Sequence, residues 1–445
     1  MLCPRCKASV RDTDNYCSRC GNVLRHDADR RVVVTGVGAV SPLGNTAEET
    51  WQGFRDGKSG ITRIERFDPS ELTVQIAGEV RDFDMGGIVD RKTERGMALF
   101  SKFGVAAAGM AMRDACLDPS TLDPDRAGVV VGTGAGGMAT ILETQDVAQR
   151  RGLMRVSPHF MTTFPHNLPA YHIHQLFGFY GPSLTVSTAC ATGAQAIGEA
   201  AQFIRSGQAD VMIAGGTEHC IFPLFVASFA VQKAASTMND TPEKASMPFD
   251  ANRHGFVLGE GAAMVVLETL ENARNRGATI FCEVLGYGAS DDGYHPIAPE
   301  PEGRGAAHAM KLALQEGGIE PEQVDYVNAH AASTPLGDKA ETIAIKTALG
   351  KRAYEIPVSS AKSMIGHMMG AAGAVEAMAA ILSIRDQVVH PTINYETPDP
   401  ECDLDYVPNT AREAEVNIAL SNSIGLGGQN TCLAFGKVGL SKPVE

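Results

Sequence analysis

The sequence predicts an α/β protein built from a duplicated unit. Short, nearly continuous apolar runs alternate with windows of helical periodicity, the pattern of a sheet covered on both faces. The strand–loop–helix order then repeats in the second half of the chain. Chemistry-bearing residues stand at the ends of strands in both halves, where loops between the two units would bring them together.

The elements follow in order. Residues 1–24 hold two knuckles, Cys3-Pro4-Arg5-Cys6 and Cys17-Ser18-Arg19-Cys20, with ten residues between. Four thiolates at this spacing predict a structural zinc ribbon, because so short a piece cannot bury a core. Two disulfides or a redox pair use the same cysteines, and a reducing compartment favours zinc. Residues 25–30 read as a polar linker. An N-terminal half over 31–280 opens with the strand Arg31–Gly36 and continues with strands over Ala127–Gly132, Asp210–Gly216 and Gly261–Glu268. Between them lie helical windows at Met97–Cys116 and Cys190–Ser206. A C-terminal half over 281–445 offers strands at Phe281–Gly286, Val324–Ala329, Ile356–Ser359 and Asn417–Ser423. Its helices are expected at Arg304–Glu316, Asp338–Leu349 and Gly370–Arg385.

Composition narrows the function. With 445 residues, 44% hydrophobic and 20% charged, the chain is an ordinary soluble sequence. A net charge of −14 argues against a general nucleic-acid binder. No apolar run reaches the ~18–20 residues of a membrane span. The chain opens without an apolar signal region, so a cytoplasmic location is the expectation.

The chemistry starts at Val186-Ser187-Thr188-Ala189-Cys190-Ala191-Thr192-Gly193. The run Pro182–Val186 precedes Cys190, and apolar residues at Ala194, Ile197, Ala201 and Ile204 follow at helical spacing, with Gly207 placed to end the helix. Cys190 is thus expected on the first turn of a helix, where the dipole stabilises a thiolate by roughly 0.3–1 kcal/mol, or up to ~2 when partly buried. That lowers a thiol pKa by about one unit. Three further stretches supply partners: Asn328–Asp338 with His330 after a strand, Ser360–His367 with Lys362 and His367, and the glycine-rich Ser421–Asn430. No Gly-Lys-Ser/Thr follows that turn, which disfavours a phosphate loop.

Together these stretches resemble the β-ketoacyl-acyl-carrier-protein synthases of thiolase fold, nearest to the type II elongating enzymes. The likeness runs from about Arg31 to Lys437 and extends to Val34–Gly38, Ala214–Glu218 and Gly255–Gly261. It implies a thiolase-like duplicated fold of five layers, αβαβα, preceded here by the zinc ribbon. It also implies decarboxylative Claisen condensation, in fatty-acid or polyketide-type chain elongation. Cys190 would take an acyl chain from a carrier thioester. His330 and His367 would hold the malonyl carbonyl, and the backbone N–H groups of Cys190 and Leu426 would form the oxyanion hole. Lys362 would orient the site with Glu341 as its carboxylate partner, and Thr334 and Asn422 would support it. No cofactor is implied for catalysis, because the phosphopantetheine arrives on the carrier. The expected partners are an acidic acyl carrier protein, docking at Arg91, Lys92, Arg95, Arg155 and Lys233, and a second copy of the chain in a homodimer.

Two departures from the family stand out. Its usual His-Gly-Thr-Ser-Thr is His330-Ala331-Ala332-Ser333-Thr334 here, which restricts the backbone if Ala331 needs a positive φ and removes a hydroxyl at Ala332. Ile424 and Leu426 stand where phenylalanines are usual, so the acyl gate is expected to be looser and the pathway specialised. The altered His330 loop leaves open a non-condensing acyltransferase. A chain-length-factor-like partner subunit is a further alternative, although such subunits typically lack the nucleophile that Cys190 supplies.

Overall fold

The computed structural model describes residues 30–440. The four ribbon cysteines and most of the linker lie outside the described residues. Ten strands form one mixed sheet: β1 (Val32–Val40), β2 (Ala127–Gly132), β3 (Ser183–Val186), β4 (Val211–Glu218), β5 (Gly261–Thr269), β6 (Cys282–Asp291), β7 (Tyr326–Asn328), β8 (Val358–Ser359), β9 (Ile418–Ile424) and β10 (Gln429–Gly436). The order across the sheet is β8-β7-β9-β10-β6-β1-β5-β4-β2-β3.

The duplication is visible in this order. Outward from the centre the first half runs β1-β5-β4-β2-β3 and the second runs β6-β10-β9-β7-β8, the same sequence of positions. Pairing directions match as well. The two inner pairs of each half are antiparallel and the two outer pairs parallel. The halves join through a short antiparallel contact of Val32–Val34 with Cys282–Val284.

Five helices matter for the site: α1 (Leu99–Asp114), α2 (Thr192–Arg205), α3 (Arg304–Gly317), α4 (Pro335–Leu349) and α5 (Ala372–Asp386). Alternate strand residues point to opposite faces, and the buried side chains sort accordingly. Met212, Ala214, Ala263, Val265 and Leu267 join α2 and α5 in a central core. Val211, Ile213, Met264 and Val266 face α1 in an outer core. Leu420, Cys432 and Ala434 face α3 and α4 in a second outer core. Helix α5 is buried nearly all round, which explains its run of alanines, glycine and larger apolar residues.

The observed elements fall close to those expected from the sequence, although the strand expected at Phe281–Gly286 runs on to Asp291 and the helix expected from Asp338 begins at Pro335. The strand expected at Arg31–Gly36 continues to Val40, because an irregularity between Val34 and Gly36 lets pairing resume with β5. The glycine-rich turn is followed by β10, which returns antiparallel to β9. Among the described residues no helix is long and apolar enough to cross a membrane.

Candidate active site

Cys190 sits on a one-turn segment, Ala189–Ala191, between β3 and α2. Ala189 has φ 49, a left-handed conformation that costs an alanine about 1–2 kcal/mol. Local hydrogen bonds hold the turn: Thr188 N donates to Thr192 Oγ1 at 2.8 Å and Ala191 N to Thr188 O at 3.0 Å. The turn after β9 presses on it from the far half of the molecule. A Cβ on Gly425 would lie 2.7 Å from Thr188 O, so glycine is needed there. This approach lets the Leu426 N–H donate to the Cys190 thiol.

The thiol itself departs from the sequence expectation. Burial pushes it up to about 11, against the opposing pull of the Leu426 N–H and Lys362. Cys190 is only 6% exposed, and loss of hydration outweighs the helix dipole. The resting nucleophile is a neutral thiol.

His330 follows β7 and His367 follows the short helix Lys362–Ile365. Their rings meet at 5.2 Å between centroids and 86° between planes. Burial holds both well below the ordinary imidazole range, and the Lys362 charge adds to the effect, so both are neutral. Lys362 Nζ donates to His330 Nδ1 at 3.3 Å and to His330 O. The His330 proton is therefore on Nε2.

The acid that pairs with Lys362 is Glu376 on α5, and both side chains are buried. This corrects the expectation that Glu341 fills that role. Glu341, on α4, instead accepts from His330 N at 2.8 Å and Ala331 N at 2.7 Å, with Asn422 Nδ2 at 3.2 Å. It clamps the backbone of the histidine loop, which needs an acceptor there once the strand has ended. An acid within the apolar, small-residue stretch Ala372–Ile384 was the signal for Glu376.

A second acid with no role foreseen, Glu218 at the end of β4, accepts from Thr133 Oγ1, Gly134 N, Ala135 N and Gly370 N at 2.8–3.0 Å. It ties the loop after β2 to the turn after His367. Behind the histidines, the buried His390 lies within 3.1 Å of Tyr326 Oη and Asn328 Oδ1. Asn328 Nδ2 in turn donates to the Glu376 carbonyl.

The departures from the family have structural answers. Ala331 does not carry a positive φ; Ser333 does, at 67, so the alanine introduces no strain. Ala332 lies in an apolar cluster with Cys190, Phe229, Phe256 and Met369. The Thr334 hydroxyl accepts from Gly337 N at 3.2 Å and caps α4. Ile424 packs against Ala306, Ala307 and Ala344.

Cys190, His330, His367, Thr334 and Leu426 line one cavity of about 430 Å³. Lys233 lines it too. Arg91, Lys92 and Arg95, on the short helix Arg91–Arg95, and Arg155 are exposed and do not line it. Among the described residues no group of three or more histidines, cysteines and acids is placed to hold a metal.

Comparison with known proteins follows this geometry. The family model for the β-ketoacyl synthase N-terminal domain matches residues 29–273, and that for the β-ketoacyl synthase C-terminal domain matches 281–396. A 3-oxoacyl-[acyl-carrier-protein] synthase 2 of Coxiella burnetii is 47% identical over 409 residues, covering 92% of this chain and 99% of that protein. Its counterpart in Synechocystis is 47% identical over 408 residues, covering 92% and 98%. A solved type II polyketide ketosynthase, in complex with its acyl-carrier protein and bound to a hexaketide, superposes with a TM-score of 0.85 at 35% identity, covering 92% of this chain and all of that one. The two family matches meet where the halves of the sheet join, and the pieces they cover bring the thiol and the paired imidazoles to one cavity: the chain belongs to the β-ketoacyl synthase family.

Proposed function

We propose that this protein is a β-ketoacyl-acyl-carrier-protein synthase that extends an acyl chain by decarboxylative condensation. The observation that carries the reading is one cavity in which a strained-turn thiol, already hydrogen-bonded by Leu426 N–H, faces two neutral imidazoles. The first step forms the Cys190 S–C bond and releases the carrier thiol. The thiol proton leaves as attack occurs and passes to the departing carrier sulfur, because burial disfavours a free thiolate. In the second step the malonyl carboxyl leaves as carbon dioxide. The enolate oxygen takes hydrogen bonds from His330 Nε2–H and from His367. The enolate carbon attacks the acyl carbon, the bond to Cys190 sulfur breaks, and the departing thiolate takes a proton from water to restore the thiol. Leu426 N–H then serves the oxyanion of the tetrahedral intermediate, where losing one donor typically costs ~10²–10³ in rate.

The neutrality of both rings suits this role, since a donor to an enolate need not be an acid. Lys362 acts through His330, by fixing its tautomer and adding positive potential. The branched Ile424 and Leu426 in place of aromatic rings support a looser gate and a specialised fatty-acid or polyketide-type pathway. The partner is an acyl carrier protein, as in the superposed polyketide complex, and the exposed Arg91, Lys92, Arg95, Arg155 and Lys233 suit an acidic surface. A second copy of the chain and a structural zinc at Cys3, Cys6, Cys17 and Cys20 complete the proposal.

Intact-mass analysis tests it. Incubation with an acyl carrier thioester is expected to add the acyl mass to Cys190, and malonyl carrier protein then to lose carbon dioxide and yield a chain two carbons longer. Cys190→Ala removes the adduct. His330→Ala and His367→Ala keep the adduct and lose at least ~10²-fold in decarboxylation. An adduct without any malonyl decarboxylation would leave only an acyltransferase.

A further inference from the structure

One buried titratable side chain has no part in the chemistry above. His390 follows the short strand Val388–Val389 and is fully buried, yet it does not line the Cys190 cavity. Its ring packs against the helix Ala47–Arg55. The Phe54 ring lies 5.5 Å away between centroids, and the Trp51 ring meets it edge-on at 6.5 Å. Trp51 is fixed in turn, donating from Nε1 to Asp386 Oδ2 at 2.7 Å.

The polar contacts of His390 run to the end of β7. Nε2 lies 3.1 Å from Tyr326 Oη and 3.1 Å from Asn328 Oδ1, and Nδ1 lies 3.1 Å from Pro391 O. Asn328 Nδ2 donates to Glu376 O at 3.1 Å, which turns the amide oxygen toward His390. The Tyr326 hydroxyl has Ser359 Oγ closer, at 2.8 Å, than Asn328 Oδ1, at 3.2 Å. Burial pushes the His390 ring down to about 4, so it is neutral and carries one N–H. Two acceptors, Asn328 Oδ1 and Pro391 O, compete for that hydrogen.

Asn328 is the last residue of β7, two before His330. Its amide also holds the backbone of Glu376, whose carboxylate pairs with Lys362, and Lys362 donates to His330 Nδ1 and O. A contact at Asn328 thus reaches the imidazole along the strand end and through Glu376 and Lys362.

We infer that His390 is a positioning residue for His330, donating from Nε2 to Asn328 Oδ1 and so fixing the strand end and the Glu376 backbone behind the paired imidazoles. This role rests on the condensation reading above and adds to it a residue that touches neither substrate nor reacting atoms.

Amide substitutions in the full chain separate the two acceptors, since a glutamine nitrogen takes the place of Nε2 and an asparagine nitrogen that of Nδ1. In steady-state decarboxylation of malonyl carrier protein, His390→Asn and His390→Leu are expected to lose about tenfold in kcat with KM unchanged, while His390→Gln stays within about twofold of the parent. Acyl transfer to Cys190, followed by intact mass, should keep its rate in all three. In a His330→Ala background His390→Leu should cost nothing further, because its effect passes through His330. A His390→Asn variant as active as the parent, a His390→Gln variant as impaired as His390→Leu, or a loss that adds in full to that of His330→Ala overturns the role. So does acyl transfer that falls alongside decarboxylation, which would make His390 a residue of the fold alone. A parent protein that loads Cys190 but never decarboxylates removes the condensation reading itself, and the role with it.

Discussion

Lys362 has two buried acids nearby, and the backbone decides between them. The two N–H groups of His330 and Ala331 emerge where β7 has ended, so they need an acceptor, and Glu341 supplies both oxygens. That leaves Glu376 for the ammonium. Burial raises both carboxyls, and breaking a buried ion pair costs about 3–5 kcal/mol, so the pair should couple strongly in stability. A double-mutant cycle of Lys362→Met with Glu376→Gln, measured by urea unfolding, is expected to give a coupling of ~3 kcal/mol. The same cycle with Glu341→Gln should give below ~1 kcal/mol, since that acid reaches Lys362 only through space. Equal couplings would return Glu341 to the role first expected. The thiol obeys the same arithmetic. A rise from 9.0 to about 11 makes the thiolate about 3 kcal/mol harder to form, more than the up to ~2 kcal/mol of a helix N-terminus. Dipole and Leu426 N–H thus act on charge that develops during attack rather than on a standing thiolate.

At the scale of elements, β3 is the end of the sheet in the first half, and its outer edge has no partner strand among the described residues. Ser183 and Leu184 on it are exposed, and the segments around it expose Tyr180 (77%) and Tyr171 (51%). An open edge flanked by apolar surface is a site for pairing with another chain. A second copy covering this edge predicts a dimer of the 47.1 kDa chain in sedimentation. Leu184→Glu, which puts a charge in the centre of the edge, should shift the protein toward monomer without lowering the Tm of that monomer's core. A parent protein that sediments as a monomer at micromolar concentration would exclude the homodimer. How far such elements are legible from sequence depends on what defines them. The strands and helices carrying Cys190, His330 and His367 announce themselves by apolar runs and periodicity. So does the duplication, because both halves repeat the same order. The join of the halves through Val32–Val34 was not legible, since antiparallel contact between distant strands leaves no local pattern. Nor was β10, hidden behind a turn whose glycines read as a loop. The Lys362–Glu376 contact depends on packing of α5 against the histidine loop, which no spacing encodes.

At the scale of the whole molecule, the described chain begins far from the site. The chain enters the described body at Arg30, which pairs with Asp210, and Arg31, which pairs with Glu283. Asp210 precedes β4, whose other end carries Glu218 beside the Cys190 turn. At ~3.3 Å per residue the strand separates anchor and site by about 25 Å. Residues 1–24 join the described body about that far from the site, which predicts that condensation does not depend on them. Two measurements follow. The full chain, purified in reductant without chelator, should contain about one zinc by elemental analysis, and Cys3→Ser/Cys17→Ser should lose it, because four thiolates close a structural site. Removal of residues 1–24 should leave malonyl decarboxylation and chain extension within about twofold, a change of less than ~0.5 kcal/mol in barrier. Zinc retained by the serine variant would deny the ribbon its ligands. A large loss of condensation on truncation would instead place the ribbon in contact with the catalytic end, against the geometry of the anchor.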